Sequence, residues 1–285
     1  MICITGAGGT LGSEVLAQLQ AAGAPIRAAF HSDDKADAAR AQGIDVALID
    51  FEDPDSLREA FAGCESLFLL GHNAVDQTEL ELAAVDAARS AGIRHIVKQS
   101  VMGAQGEDYS LAQVHRPIEM AIEASGIGWT FLRPNSFMQN VMTFMSPTIR
   151  TEWAFYSASD DARISHVDVR DIAAVAVQAL LHPGQHAGHA YTLTGPDAFT
   201  YDELAETLSH ALGRTITHVA LPPNELRYGM ADWGLPDEIA DRLIDLERYF
   251  RSGEAARVTG DIERITGRAP RRFADYAREV APLLG

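Results

Sequence analysis

Three glycines at a fixed spacing, Gly6-x-x-Gly9-x-x-Gly12, follow directly on the apolar run Met1-Ile2-Cys3-Ile4 and lead into the helical pattern Leu11, Val15, Leu16, Leu19. A strand, a glycine turn and a helix start bring backbone N–H groups and the positive end of the helix dipole to one place, which suits an anion. Gly6 lets the chain turn off the strand, Gly9 lets backbone approach a pyrophosphate, and Gly12 lets helix and strand pack closely. The motif predicts dinucleotide binding through Thr5, Gly6, Gly8, Gly9, Thr10, Leu11 and Gly12. The alternative is a plain tight strand-to-helix turn. Cofactor choice is read at the end of the second strand, where a carboxylate binds the ribose 2′-OH of NAD and a cation accommodates the 2′-phosphate of NADP. The sequence there is Phe30-His31-Ser32-Asp33-Asp34-Lys35. His31 is a weak, pH-dependent cation, Asp33-Asp34 adds repulsion, and Ser32 and Lys35 can grip a phosphate. The balance is read as NADP, with NADPH preferred over NADH and dual use open.

These residues need a scaffold, and the period of the apolar positions supplies it. Strands are expected at Ile26–Phe30, Val46–Ile49, Ser66–Leu70, His95–Gln99 and Trp129–Leu132. Helices alternate with them at Lys35–Gln42, Pro54–Phe61, Glu79–Ala91 and Ala112–Ala124, most of them followed by a glycine. Short β-rich runs between such helices mean parallel strands joined by crossovers. The expected class is α/β, a doubly wound parallel sheet (Rossmann fold), with its ligand crevice beyond the C-terminal strand ends. Further strands are expected at Ile164–Val167 and Ala190–Leu193, returning to that sheet with the helix Val169–Leu181 between them. From Thr200 the pattern is mostly helical: Tyr201–Leu212, Asp237–Phe250, Asp261–Ile265 and Phe273–Leu284. The expected division is 1–133 plus 163–195 as the dinucleotide-binding domain, and 134–162 plus 196–285 as a smaller, mostly helical substrate lobe closing over the crevice. Asn135–Met145 is rich in Met and Phe, which serves either core packing or an adaptable apolar wall for a substrate.

At 285 residues, 47% apolar and 22% charged, the chain reads as ordinary globular protein with a sizeable core. Its net charge of −17 argues against a nucleic-acid surface, which needs clustered Lys and Arg. Only Lys35 and Lys98 are lysines. Cys3 and Cys64 have no metal-like spacing, so no metal is expected and a reduced, cytoplasmic setting is the natural reading. No apolar run approaches membrane-spanning length, and the first strand occupies the N-terminus, so no signal peptide is expected.

Several stretches together resemble the NmrA-like, atypical branch of the short-chain dehydrogenase/reductase family. They are Thr5-Gly6-x-x-Gly9-x-x-Gly12, Val97-Lys98-Gln99-Ser100-Val101-Met102-Gly103-Ala104, and His115-x-x-x-Glu119 followed by Ser125-Gly126-Ile127. Thr130-Phe131-Leu132-Arg133-Pro134-Asn135-Ser136-Phe137-Met138-Gln139-Asn140, Val167-Asp168-Val169-Arg170-Asp171-Ile172-Ala173 and Val258-Thr259-Gly260-Asp261 fit as well. The resemblance covers essentially the whole chain. It implies an NAD(P)H-dependent reductase of small electron-poor aromatic or quinone-like compounds. The alternative is a non-catalytic NAD(P)-binding regulator of the NmrA type. The wider superfamily uses Tyr-x-x-x-Lys, whose lysine lowers the tyrosine pKa. Here Tyr109 lies near the expected region but is followed at that spacing by Gln113, and none of the seven tyrosines has the lysine.

The resemblance places His115 where isoflavone-reductase-like proteins carry a functional Lys. There it hydrogen-bonds the nicotinamide ribose, delivers a proton, or merely packs at a helix start. Ser100 contacts substrate or nicotinamide, or caps its loop. Candidate catalytic residues are thus His115, Ser100 and Tyr109. Asp50-Phe51 resembles the adenine-side segment, with helix capping as the alternative role for Asp50. Gly71-His72 should pass near the nicotinamide ribose. Met102, Asn135, Phe137, Met138 and Trp233 are the candidate substrate wall. Hydride passes directly from nicotinamide to substrate, so proximity and orientation do most of the protein's part. A homodimer is the remaining partner expectation.

Overall fold

The computed structural model describes residues 1–285. In chain order the elements are β1 (Ile2–Ile4), α1 (Thr10–Ala21), β2 (Ile26–Phe30), α2 (Asp33–Arg40), β3 (Asp45–Leu48), α3 (Pro54–Phe61), β4 (Ser66–Leu69), α4 (Gln77–Ala91), β5 (His95–Gln99), α5 (Ser110–Ala124) and β6 (Gly128–Pro134). There follow α6 (Ser146–Glu152), β7 (Ala154–Ser157), α7 (Val169–Leu181), α8 (Pro183–His186), β8 (His189–Leu193), α9 (Tyr201–Leu212), β9 (Thr217–Ala220), α10 (Pro223–Asp232), α11 (Asp237–Arg251), α12 (Asp261–Thr266) and α13 (Phe273–Leu284). The main sheet has seven strands in the order β3-β2-β1-β4-β5-β6-β8, and neighbours from β3 through β6 pair parallel. The doubly wound α/β expectation holds. The strand order reverses between β1 and β4, the switch point at which such sheets bind ligands.

Burial on both faces explains why the central strands are near-continuous apolar runs. Along β4 and β5, Leu67, Leu69 and Ile96 face a cluster with Leu57 and Phe61 of α3, Ala84 and Val85 of α4, and Ile118 and Ile122 of α5. The side-chain period of two sends Lys98 to the same face as Ile96. That lysine is fully buried. On the other face α1 packs along α7.

The chain divides into two units. The first comprises residues 1–105, 113–133 and 169–191, and the second 106–112, 134–168 and 192–285. Ile164–Val167 is not a strand of the main sheet. Ile164 makes one antiparallel bridge to Phe199 and Val167 one parallel bridge to Phe137, within the second unit. The run is buried and ends in the β-branched Ile164 and Val167, which suits a strand, but its backbone partners lie in loops. The second unit instead has its own two-stranded parallel sheet of β7 and β9, which periodicity alone did not reveal. Several helices begin two residues earlier than expected. α2 starts at Asp33, where Asp33 and Asp34 in the first turn complement the helix dipole. No helix is long and apolar enough to cross a membrane.

Candidate cofactor and active site

Because β1 to β5 run parallel, the loops after them emerge on one edge of the first unit. These loops carry Gly6–Gly12, His31–Lys35, Asp50–Phe51, Gly71–His72 and Ser100–Met102. Gly6 turns the chain with φ +64, and its carbonyl accepts the Gly9 N–H at 2.9 Å. A Cβ on Gly12 would lie 2.0 Å from the Gly6 carbonyl oxygen, so only glycine permits this approach of α1 to the turn. α1 begins with Gly9 as N-cap, which has no side chain to satisfy the first-turn amides of Thr10, Leu11 and Gly12. Gly9 and Thr10 are exposed. The result is a set of donors facing outward at a helix N-terminus, a cradle that fits a pyrophosphate.

Thr5 has a different task. Its Oγ1 donates toward Phe68 O and Leu70 O at 3.1 Å and accepts the Leu70 N–H at 2.8 Å, stapling the end of β1 to the end of β4. Lys35 Nζ donates to Gly8 O at 2.9 Å, so this cation lies across the glycine loop. His31 is exposed, with Nδ1 3.3 Å from Ile49 O. Asp50 is exposed and accepts the Glu52 N–H at 2.9 Å, while the cap of α3 is Asp53. The Asp50 carboxylate is therefore not the helix cap. Phe51 and His72 meet edge to face with centroids 6.5 Å apart, which joins the loops after β3 and β4. Gly71 has no room for a side chain, because a Cβ would come within 2.7 Å of Glu81 Oε1.

Beneath the loop after β5 are two buried polar networks. In the first, Glu119 is fully buried and receives Arg133 in a fork, Nε to Oε1 at 2.9 Å and Nη2 to Oε2 at 2.7 Å. Ser100 Oγ donates to its Oε1 at 2.7 Å and Arg116 to its Oε2 at 3.1 Å. Burial acts to raise the Glu119 pKa, but the hydrogen bonds from Arg133 and Ser100 and the Arg133 charge outweigh it and hold the carboxyl below its ordinary value. Ser100, with no exposure, is thus committed to Glu119 and anchors the loop.

In the second network Lys98 Nζ sits 2.8 Å from Glu81 Oε2 in a fully buried ion pair, close but not in hydrogen-bond alignment. Nζ also donates to Gln99 O, and lies 3.3 Å from His115 Nδ1. Gln77 donates to Glu81 Oε1 at 2.8 Å. His115 is 4% exposed, and burial, followed by the Lys98 charge, pushes its pKa well below the ordinary histidine value. In the sequence Lys98 stands out as one of two lysines and as part of a motif, while nothing there marks Glu81. The available signal was a lysine inside a central strand buried on both faces, which demands a carboxylate partner.

The remaining candidates divide between the two units. Met102, in the first unit, is buried. Tyr109 belongs to the second unit, stacked on Tyr249 at 4.2 Å, and burial, followed by Tyr249 and Asp245, pushes its phenol pKa up. Asn135 spends its amide on Ser165 Oγ at 2.9 Å and Ala255 O at 2.8 Å, and its Oδ1 accepts the Ser136 N–H. These contacts tie down the second unit's interior. Phe137 is half-buried and bridges Val167. Met138 lines a pocket of about 240 Å³ with Phe199 and Phe273, inside the second unit. Trp233 is 58% exposed at the end of α10.

The second unit also aligns Ser157, His218 and Asp202, with Ser157 Oγ 2.8 Å from Nε2 and Asp202 Oδ1 2.8 Å from Nδ1. Ser157 is 2% exposed, so this hydroxyl is not offered to a substrate and the row joins β7 to β9 and α9.

A model described as the NmrA-like family matches residues 1–277. The chain is 35% identical over 288 residues to an NAD(P)H azoreductase of Xenophilus azovorans, covering 100% of this chain and 99% of the relative. It is 35% identical over 285 residues to a (4-alkanoyl-5-oxo-2,5-dihydrofuran-3-yl)methyl phosphate reductase of Streptomyces griseus, covering 99% and 98%. Among solved structures, an NADPH-dependent quinone oxidoreductase of Escherichia coli complexed with NADPH superposes with a TM-score of 0.89. It is 30% identical, and the match covers 98% of this chain and 99% of that one.

Proposed function

The chain belongs to the NmrA-like family, and from that membership and the geometry of the glycine edge we propose that it is an NAD(P)H-dependent oxidoreductase. It reduces small electron-poor aromatic or quinone-like compounds by direct hydride transfer, with NADPH preferred over NADH. The observation that carries the reading is the outward row of first-turn amides at Thr10, Leu11 and Gly12, set behind a turn that tolerates only glycine at the switch point of the sheet. Bound there, the cofactor supplies the hydride. The chain's own residues do the rest. The amides hold the pyrophosphate, and Lys35, already lying against the loop, meets the 2′-phosphate with His31 beside it. Asp50 and Phe51 serve the adenine side, and Gly71-His72 the nicotinamide ribose.

The acid–base inventory, with Gln113 where the Tyr-x-x-x-Lys pair has lysine, supports this acceptor class. Burial raises the Tyr109 phenol, and burial with the Lys98 charge depresses His115. Neither is tuned as a strong acid near neutrality. That suits acceptors whose reduced form takes its proton from water, such as quinones, azo compounds and conjugated carbonyls. The cytosol fits the two free, buried thiols of Cys3 and Cys64. The test is NADPH oxidation with a panel of quinones and azo dyes. Absorbance loss well above the protein-free rate is the expected result. Tight NADPH binding with no turnover on any acceptor would overturn the enzyme in favour of a cofactor-binding regulator.

A further inference from the structure

We propose that Lys98, anchored by Glu81, is a positioning residue that fixes His115 as a neutral imidazole with its proton on Nε2. His115 then acts as a hydrogen-bond donor of set direction rather than as a proton-delivering acid. Lys98 Nζ carries only donors, and it faces His115 Nδ1 at 3.3 Å. Nδ1 must therefore accept, which places the ring proton on Nε2. Protonating the ring would turn Nδ1 into a second donor pointed at the first and would put two like charges side by side in a buried site. Glu81 Oε2 lies 2.8 Å from Nζ, and the lysine side chain has no exposure, so the pair is buried together.

Each partner is held in turn. Gln77 bonds Glu81 at 2.8 Å and Gly71 packs against that carboxylate. Gln99 O takes another Nζ proton. The groups that face this site are Glu81 and Gln77 from α4 and Lys98 from β5. On α5 itself, Arg116 and Glu119 are turned to each other and to Arg133. Lys98 is the charge that acts on His115, and it opposes protonation as burial does. On the functional reading above, the Nε2–H is offered to an acceptor atom of the bound cofactor or substrate.

The proposal rests on that reading only for what the N–H meets. Its first test is independent of turnover. Imidazole nitrogen shifts of His115, assigned through bonds in the cofactor-free protein, are expected to be pyridine-like at Nδ1 and pyrrole-like at Nε2, unchanged from pH 5.5 to 8.5. A protonated Nδ1, or a ring that titrates near the reference histidine value of about 6.5, overturns the proposal. The second test is the double variant Lys98→Met/Glu81→Gln, which removes both charges together and leaves no unpaired ion. Its His115 shifts should report a mixture of tautomers or a titration inside that range. At saturating NADPH, its kcat/KM for a quinone should acquire an inflection that the parent lacks. A double variant that folds and keeps the parent's Nδ1-unprotonated, non-titrating signal means Lys98 does not set the tautomer. If no acceptor is turned over, the reductase reading fails while the shifts still decide this one.

Discussion

Replacing Gly12 by Ala puts a methyl group where the backbone of the glycine turn already stands. The new Cβ would lie 2.0 Å from the Gly6 oxygen, 2.6 Å from its carbon and 3.1 Å from Ala7 Cα. All three neighbours are backbone, and Gly6 is itself held by the Gly9 N–H at 2.9 Å. Relief requires α1 and the turn to separate by about 1 Å, in an interior packed too closely to absorb it. Alanine's better helix propensity returns at most about 1 kcal/mol, against about 1–3 kcal/mol for overpacking. The expected net is a destabilisation of up to about 2 kcal/mol, read as a lower urea midpoint with unchanged slope. The same displacement moves the amides of Thr10, Leu11 and Gly12 away from a bound phosphate. Losing one charge-assisted hydrogen bond of about 1.5–3 kcal/mol weakens NADPH roughly ten- to hundredfold in a fluorescence titration. Gly9→Ala separates the two effects. Its Cβ meets only the Gly6 oxygen, at 3.4 Å, and faces solvent. Stability should fall by less than about 1 kcal/mol, while affinity drops because the methyl occupies the phosphate's side. If Gly12→Ala keeps both the parent midpoint and the parent affinity, the steric account of the turn is wrong.

Glu119→Gln leaves Arg133 and Arg116 without their buried carboxylate and should cost about 3 kcal/mol at pH 7. Because the folded Glu119 pKa is depressed, its stabilisation is present above the unfolded value and lost as pH falls through the folded one. Acid unfolding curves of the variant should lack that part of the slope. Glu247 behaves oppositely. Burial raises it to about 7, against lowering hydrogen bonds from Ser159 and Ala158, so the folded state holds a proton that the unfolded chain releases near pH 4.5. Stability should decline between those pH values, and Glu247→Gln should remove the decline, with a gain at pH 8 on the order of 3 kcal/mol at most. Trp233→Ala should leave the melting temperature within about 1 °C, since the ring is 58% exposed. On the substrate-wall reading it should raise KM for an aromatic acceptor severalfold with NADPH affinity unchanged. An unaltered KM removes Trp233 from that wall.

Local sequence determined the main sheet because every rule pointed the same way. Short β-rich runs such as Ile2–Ile4 and Ser66–Leu69 alternated with amphipathic helices, and glycine followed most of those helices. The glycine turn was legible for the same reason, since steric exclusion at Gly12 depends on atoms only a few residues away. The tertiary structure decided what hydroxyls and carboxylates do. Thr5, Ser100 and Asn135 look like ligand contacts in sequence, yet each is spent on a partner at least 19 residues distant: Leu70, Glu119 and Ala255. A short polar side chain carries no mark of whether its partner will be protein or ligand. Ile164–Val167 misled because its buried, β-branched Ile164 and Val167 suit a strand and a buried loop alike, and only backbone pairing distinguishes them. The Glu81–Lys98–His115 set was also beyond local reasoning. Strand parity put Lys98 on the face toward α4 and α5, but that a carboxylate and an imidazole wait there is a property of how those helices pack.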